Sequence, residues 1–123
     1  MALSDISDLA RNKEGIAAAL GILKQRFGPH CQTGADIRRQ HAHTTTYIPN
    51  QPPDAVVFAG SSADVQETVR ICAAHRAPVI PFGTGTSLEG HVNAPAGGIS
   101  LDLMRMDRVL QVNAEDLDCV VES

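Results

Sequence analysis

A short apolar run, Pro78-Val79-Ile80, opens into Pro81-Phe82-Gly83-Thr84-Gly85-Thr86-Ser87-Leu88-Glu89-Gly90-His91, and no other stretch constrains the chain as much. The apolar run reads as a strand. The loop after it is rich in glycine and hydroxyls. Gly83 and Gly85 carry no side chain to hold an anion at a distance, and both accept φ > 0. Thr84, Thr86 and Ser87 add hydroxyl donors at the same place. Several backbone N–H groups and three hydroxyls at a strand end read as a pyrophosphate cradle, and so imply a nucleotide ligand.

Two common nucleotide loops fail on spacing. A Walker A loop needs a lysine after its second glycine. Gly85 and Gly90 are correctly separated, but His91 stands where that lysine belongs, and the chain has no lysine after Lys24. A dinucleotide turn needs Gly-x-Gly-x-x-Gly opening directly into a helix. Gly83 and Gly85 fit, yet Gly90 comes two positions late. Asn93-Ala94-Pro95-Ala96-Gly97-Gly98 then continues as a turn-rich loop rather than a helix.

Around this loop the patterning predicts a β-α-β unit. Residues 54–58 are a candidate strand. Ser61 begins a helix, with Asp64 three positions on as in a capping box. Val65, Val69 and Cys72 line one face of that helix at i, i+4, i+7. A strand over 78–81 follows, parallel to 55–58 through a right-handed crossover. The loop 82–97 then leaves the carboxyl end of a strand, where open α/β sheets bind ligands. Ser100–Leu103, Val109–Val112 and Cys119–Glu122 read as further strands, with residues 113–116 as the last turn. Upstream, residues 1–28 read as a helix whose Ile16, Leu20, Leu23 and Phe27 share a face; Gly28-Pro29 ends it. Residues 29–53 read as an irregular connector. The chain thus divides into a helix and connector over 1–50 and a nucleotide-binding portion over 51–123.

From Pro52 to Glu122 the residues resemble the first half of the FAD domain of the vanillyl-alcohol oxidase / p-cresol methylhydroxylase superfamily. Within it they are most similar to the branch holding the D-lactate dehydrogenases and glycolate oxidase flavin subunits. The motifs occur in the family's order. Pro53-Asp54-Ala55-Val56-Val57 resembles its first strand and Ser61 through Arg76 its first helix. Pro78 through Gly90 resembles its phosphate loop. Gly98-Ile99-Ser100-Leu101-Asp102-Leu103 with Met106-Asp107-Arg108-Val109-Leu110 resembles the strand and turn beyond, and Val120-Val121-Glu122 the strand after that.

The resemblance implies an α+β fold: the β-α-β first subdomain of a p-cresol methylhydroxylase-type FAD-binding domain, preceded by an amphipathic helix. It carries the phosphate-binding role onto Gly83, Thr84, Gly85, Thr86 and Ser87. Relatives with covalently attached flavin commonly have histidine where this chain has Thr86. Threonine has no nucleophilic nitrogen, so the expectation is non-covalent FAD, and His91 is not the anchor. The implied activity is a flavin-dependent D-2-hydroxy-acid dehydrogenase, with D-lactate or glycolate as substrate and a cytochrome or quinone as acceptor. Such enzymes are much longer than 123 residues and complete the flavin site with a second subdomain and a cap, so the chain reads as an amino-terminal fragment, inactive alone, that holds no catalytic residue. The alternatives are a non-catalytic nucleotide-binding module, a truncated remnant, or another enzyme on the same scaffold, such as an alkyl-ether lipid synthase or a sugar-lactone oxidase. Valine at position 85 is expected to abolish FAD binding in the full-length enzyme without unfolding it.

Composition excludes other classes. Aromatics are scarce (three Phe, one Tyr) and the net charge is −4, which argues against nucleic-acid binding. The charge is uneven: net +2 over residues 1–50 and net −6 over 51–123. An acidic field around an anion site means that backbone amides must hold the phosphates. No apolar run reaches bilayer length and no signal core is present, so the expected place is cytoplasmic, with peripheral association at the inner membrane left open. Cys31, Cys72 and Cys119 form no Cys-x-x-Cys pair and read as buried free thiols in a reducing compartment. His30, His41 and His43 lack a completing ligand for a metal and read, with Arg38 and Arg39, as a solvated loop. Glu89, Asp102 and Asp107 read as surface or turn-capping carboxylates, and Ser87 lacks the His and Asp of a nucleophile elbow.

Overall fold

The computed structural model describes residues 10–122. Helix α1, Lys13–Phe27, starts at Asn12, whose side chain accepts from the Gly15 amide at 3.1 Å. The helix reading over 1–28 holds from Lys13 onward; its first nine residues lie outside the described ones. Asn12 also donates to the His75 carbonyl at 3.1 Å, which ties the start of α1 to the end of the second long helix. Gly28, at φ 52°, closes α1, as the Gly-Pro pair requires.

The connector is not irregular throughout. It holds a tight helical turn (Gly28–His30), strand β1 (Cys31–Gln32) and helix α2 (Ala35–Gln40). Two residues are too short a strand to show an alternation, and a one-and-a-half-turn helix too short to show a period. Arg38 is not solvated as read: it is half-buried and donates to the Pro53 carbonyl at 2.6 Å.

Strands β2 (Ala55–Phe58), β3 (Val79–Phe82) and β4 (Ile99–Asp102) follow, with helix α3 (Ser62–Ala74) between β2 and β3. The sheet order is β1-β2-β4-β3. β2 and β3 both run parallel to β4, so they are parallel to each other as expected, but β4 lies between them. β1 pairs antiparallel to β2. The α3 cap matches its sequence signature: Ser61 Oγ accepts from the Asp64 amide, and Asp64 Oδ2 accepts from the Gly60 amide at 2.9 Å.

One sheet face packs on α1 and α3. Ile16, Ala19 and Leu23 of α1 and Ile71 and Cys72 of α3 meet Ala55, Val57, Ile99 and Leu101. Val69 is not part of that face; it is 45% exposed, and Thr68 and Ile71 take the inward positions. Thr68 can take an inward position because its hydroxyl is satisfied on the Asp64 carbonyl at 2.8 Å. The opposite sheet face carries Val56, Phe58, Ile80, Phe82, Ser100 and Asp102. β4 is buried along its whole length, as the middle strand of a covered parallel sheet should be.

Strands β5 (Val109–Asn113) and β6 (Asp118–Val121) form a separate antiparallel hairpin. Its residues are nearly all exposed, Val109, Leu110, Val112 and Val121 among them. Arg108 and Glu122 clasp its open end at 2.7 Å.

Cys31 and Cys72 are buried as read, but Cys119 on β6 is exposed. Burial pushes the Cys72 thiol from its ordinary 9.0 to about 11, with the Cys31 charge adding to the rise. A thiol reagent at neutral pH is therefore expected to modify Cys119 rapidly in the native chain and all three cysteines only after denaturation. Fast native labelling of more than one thiol would contradict this packing. The fold holds the Cys72 proton more tightly than the unfolded chain does. That contribution is fully present below about pH 9 and is lost as pH rises toward about 11.

Candidate functional site

The loop read as a phosphate cradle leaves the carboxyl end of β3. Gly83, Thr84, Gly85, Thr86 and Ser87 all line one open cavity of about 390 Å³, together with Pro81, His91 and Val92. Among the described residues, no hydrogen bond to another protein group uses the backbone N–H of Thr84, Gly85, Thr86 or Ser87. Amides without protein partners at a strand end are what an anion needs. A Cβ built on Gly83 would meet no heavy atom within 4 Å, so it would stand in the open space of the cavity. Gly85 is different. Its φ is +74°, and a Cβ there would lie 2.8 Å from Phe82 Cζ, against the ring beneath the loop rather than over the cavity.

The hydroxyls are already ordered. Thr84 Oγ1 and Thr86 Oγ1 are 3.2 Å apart. Ser87 Oγ lies 2.6 Å from His91 Nδ1, a partner the spacing argument had denied it, although no carboxylate joins them among the described residues. A four-residue separation across a turn explains the meeting; a linear motif for a nucleophile does not capture it.

The far end of the loop is pinned by groups that sequence reading passed over. The Ala94 amide donates to the Gln51 carbonyl at 2.8 Å, and the Gln51 amide donates to Asn93 Oδ1 at 2.8 Å. Asp54 receives the Gly98 amide on Oδ2 at 2.7 Å and gives its own amide to the Gly98 carbonyl at 2.8 Å. The only available signal was a carboxylate placed just before a strand and a Gly-Gly pair just before another.

Beneath the loop lies a buried ionisable pair. His41 is 4% exposed and Asp102 is 2% exposed, so neither is the solvated or surface group expected of it. Their contact, Nε2 to Oδ2, measures 2.7 Å. The turn-capping half of the Asp102 reading holds: Oδ1 accepts from the Met104 amide at 2.8 Å. His41 also packs on Phe82, with ring centroids 4.3 Å apart. Glu89 and Asp107 are exposed, as read.

A larger cavity of about 740 Å³ lies away from the loop, beside α1 and the start of α3. It is lined by Arg26, Arg70 and Arg105, but Glu67 already engages Arg26 at 2.8 Å and also pairs with Arg70. The Arg26 hydrogen bond, with Arg70 assisting, holds the Glu67 carboxyl below the usual carboxylate range. The chemistry of the loop, not cavity size, therefore identifies the candidate site.

A family model described as FAD binding domain matches residues 53–123, more than half of the chain. The chain belongs to that FAD-binding family. Its relatives include a probable D-lactate dehydrogenase, mitochondrial, of Danio rerio, 43% identical over 89 residues, covering 72% of this chain and 18% of that protein. The D-lactate dehydrogenase (cytochrome), mitochondrial, of Arabidopsis thaliana is 41% identical over 70 residues, covering 57% and 12%. Glycolate oxidase subunit GlcD of Bacillus subtilis is 33% identical over 70 residues, covering 57% and 15%. The chain spans less than a fifth of the length of these relatives. Among solved structures, 4-ethylphenol oxidase from Gulosibacter chungangensis superposes with a TM-score of 0.73 at 25% identity, over 88% of this chain and 22% of that one. p-Cresol methylhydroxylase with substrate bound gives 0.72 at 21% identity, over 82% and 21%. The α+β arrangement is thus that of the p-cresol methylhydroxylase-type FAD-binding domain. No helix among the described residues is long and apolar enough to cross a membrane.

Proposed function

We propose that Gly83, Thr84, Gly85, Thr86 and Ser87 hold the pyrophosphate of a non-covalently bound FAD, as part of a flavin-dependent D-2-hydroxy-acid dehydrogenase of the D-lactate or glycolate type. The observation that carries this is the loop itself: amides without protein partners and an open glycine, at the carboxyl end of a parallel strand inside the family's matched stretch. The chain's own contribution is binding and orientation. The amides of 84–87 supply positive dipole ends to a dianionic group in a region of net negative charge, where no lysine is at hand. The hydroxyls add donors, and the ties at Gln51, Asn93, Asp54 and Gly98 keep the loop base from moving. The FAD, when bound, would accept the substrate α-hydrogen as hydride and pass electrons to a cytochrome or quinone acceptor. The relatives' names support this substrate class and acceptor. The protein would then work in the cytoplasm, or peripherally at the inner membrane where such an acceptor resides.

The test is FAD titration of the purified protein, followed by acid precipitation. The expected result is stoichiometric flavin that appears in the supernatant, with D-lactate or glycolate bleaching the oxidised-flavin absorbance in the enzyme that carries this segment. Flavin that stays with the precipitate would overturn the non-covalent reading. Failure to take up flavin at all would favour a binding module for another nucleotide or a remnant without activity.

A further inference from the structure

Apart from the Cys31 and Cys72 thiols, His41 and Asp102 are the only ionisable residues buried among those described. Nδ1 of His41 lies 2.8 Å from the Ile37 carbonyl oxygen, and Nε2 lies 2.7 Å from Asp102 Oδ2. Both partners are acceptors. A carbonyl carries no proton, so Nδ1 must donate. A second proton must then lie on the Nε2–Oδ2 line, either on the nitrogen or on the carboxyl. Two observations choose the nitrogen. Asp102 already accepts from the Met104 amide on its other oxygen, which favours the carboxylate form. The imidazole also packs against the Phe82 ring at 4.3 Å and sits edge-on to Phe58 at 5.8 Å, and an aromatic face favours a cation. Among the described residues, the hydrogen bonds and ion pair of the ring involve only Ile37 and Asp102. β2 presents Phe58, β3 presents Phe82 and β4 presents Asp102, while Arg38 and Arg39 on α2 are engaged by the Pro53 carbonyl and Asp36.

We propose that His41 is held as an imidazolium against the Asp102 carboxylate, and that this buried ion pair is the positioning device that sets Phe82 beneath the loop 83–87. Phe82 is the residue just before the loop, and its ring is the surface on which Gly85 rests. The chain of contact is therefore short: α2 through His41 to Asp102 at the end of β4, and His41 through Phe82 to Gly85. The second half of the proposal rests on reading 83–87 as the cofactor loop; the first half does not.

The decisive experiment uses the ¹⁵N-labelled protein and its histidine ring-nitrogen shifts. Both His41 nitrogens are expected to be protonated at neutral pH. Asp102→Asn keeps the acceptor for Met104 and places an N–H donor opposite Nε2. In that variant Nε2 is expected to lose its proton while Nδ1 keeps its own. An unprotonated Nε2 in the parent protein overturns the ion pair, and this holds whether or not the variant folds. The positioning role is read from FAD affinity, which should fall about fivefold or more in Asp102→Asn. Unchanged affinity in a folded Asp102→Asn protein overturns that role. If Gly83→Val abolishes FAD binding while Asp102→Asn leaves it intact, the cofactor loop stands and the positioning role falls. If the parent protein takes up no FAD, the cofactor reading and the positioning role fall together, and the nitrogen shifts still decide the ion pair.

Discussion

Alanine at position 98 is expected to destabilise the fold by about 3 kcal/mol or more, a large part of the 5–15 kcal/mol that holds a domain of this size together. Gly98 sits at φ +115°, a conformation that a side chain does not tolerate. Its Cβ would also lie 2.4 Å from the Pro78 carbonyl oxygen and 2.9 Å from the carbon behind it. That carbonyl is not free to retreat. It accepts from the Ile99 amide at 2.9 Å in the first bond between β3 and β4. Gly98 meanwhile exchanges two hydrogen bonds with Asp54, so its own backbone is fixed from the β2 side. A single methyl group therefore wedges apart the point where all three parallel strands begin. Thermal unfolding followed by circular dichroism should show the midpoint lowered by roughly 10 °C or more. A shift of only a degree or two would mean that the strand junction is looser than described.

Valine at position 83 is expected to remove FAD binding with little loss of stability, whereas valine at position 85 should damage both. At Gly83 the new side chain meets open space within the cavity, and the fold has nothing to lose there. If the loop holds the pyrophosphate as proposed, ligand affinity should drop by about a hundredfold, close to 2.7 kcal/mol, because the side chain would obstruct the approach of the phosphate to the amides. The folding free energy should change by about 0.5 kcal/mol at most. Gly85 is the more obvious choice from the sequence, but it is the poorer probe. Its φ of +74° strains any branched residue, and the added carbon drives into the Phe82 ring. A flavin-binding isotherm and a melting curve for each variant separate the two effects. Full flavin affinity in Gly83→Val would remove the loop from the cofactor site.

Much of this was legible in the sequence because it is local. The Ser61 cap, the termination of α1 at Gly28 and the loop after β3 each depend on neighbours a few residues apart, and each stands where the pattern put it. What escaped was non-local. β4 inserts between β2 and β3, an order that no periodicity encodes. His41 and Asp102 are separated by 61 positions, so nothing in either neighbourhood announces the other. A histidine in a polar stretch of Thr and Arg looks solvated until the sheet brings two phenylalanines over it. Gly85 was read for the space it gives a ligand, when its backbone angle and Phe82 account for it equally well.

Phe58, Asp102 and Phe82 occupy one rung of the parallel sheet, each opposite the next. Because side chains alternate along a strand, sliding β4 by one residue would turn the carboxylate from His41 into the apolar layer beneath α1 and α3. There it would find apolar side chains and two buried thiols but no cation, and an unpaired charge in that setting is heavily penalised. The misaligned sheet is thus excluded by its own chemistry rather than by shape alone. Asp102 therefore acts as a key against the one-residue slip, the error that would turn every side chain of β4 to the wrong face.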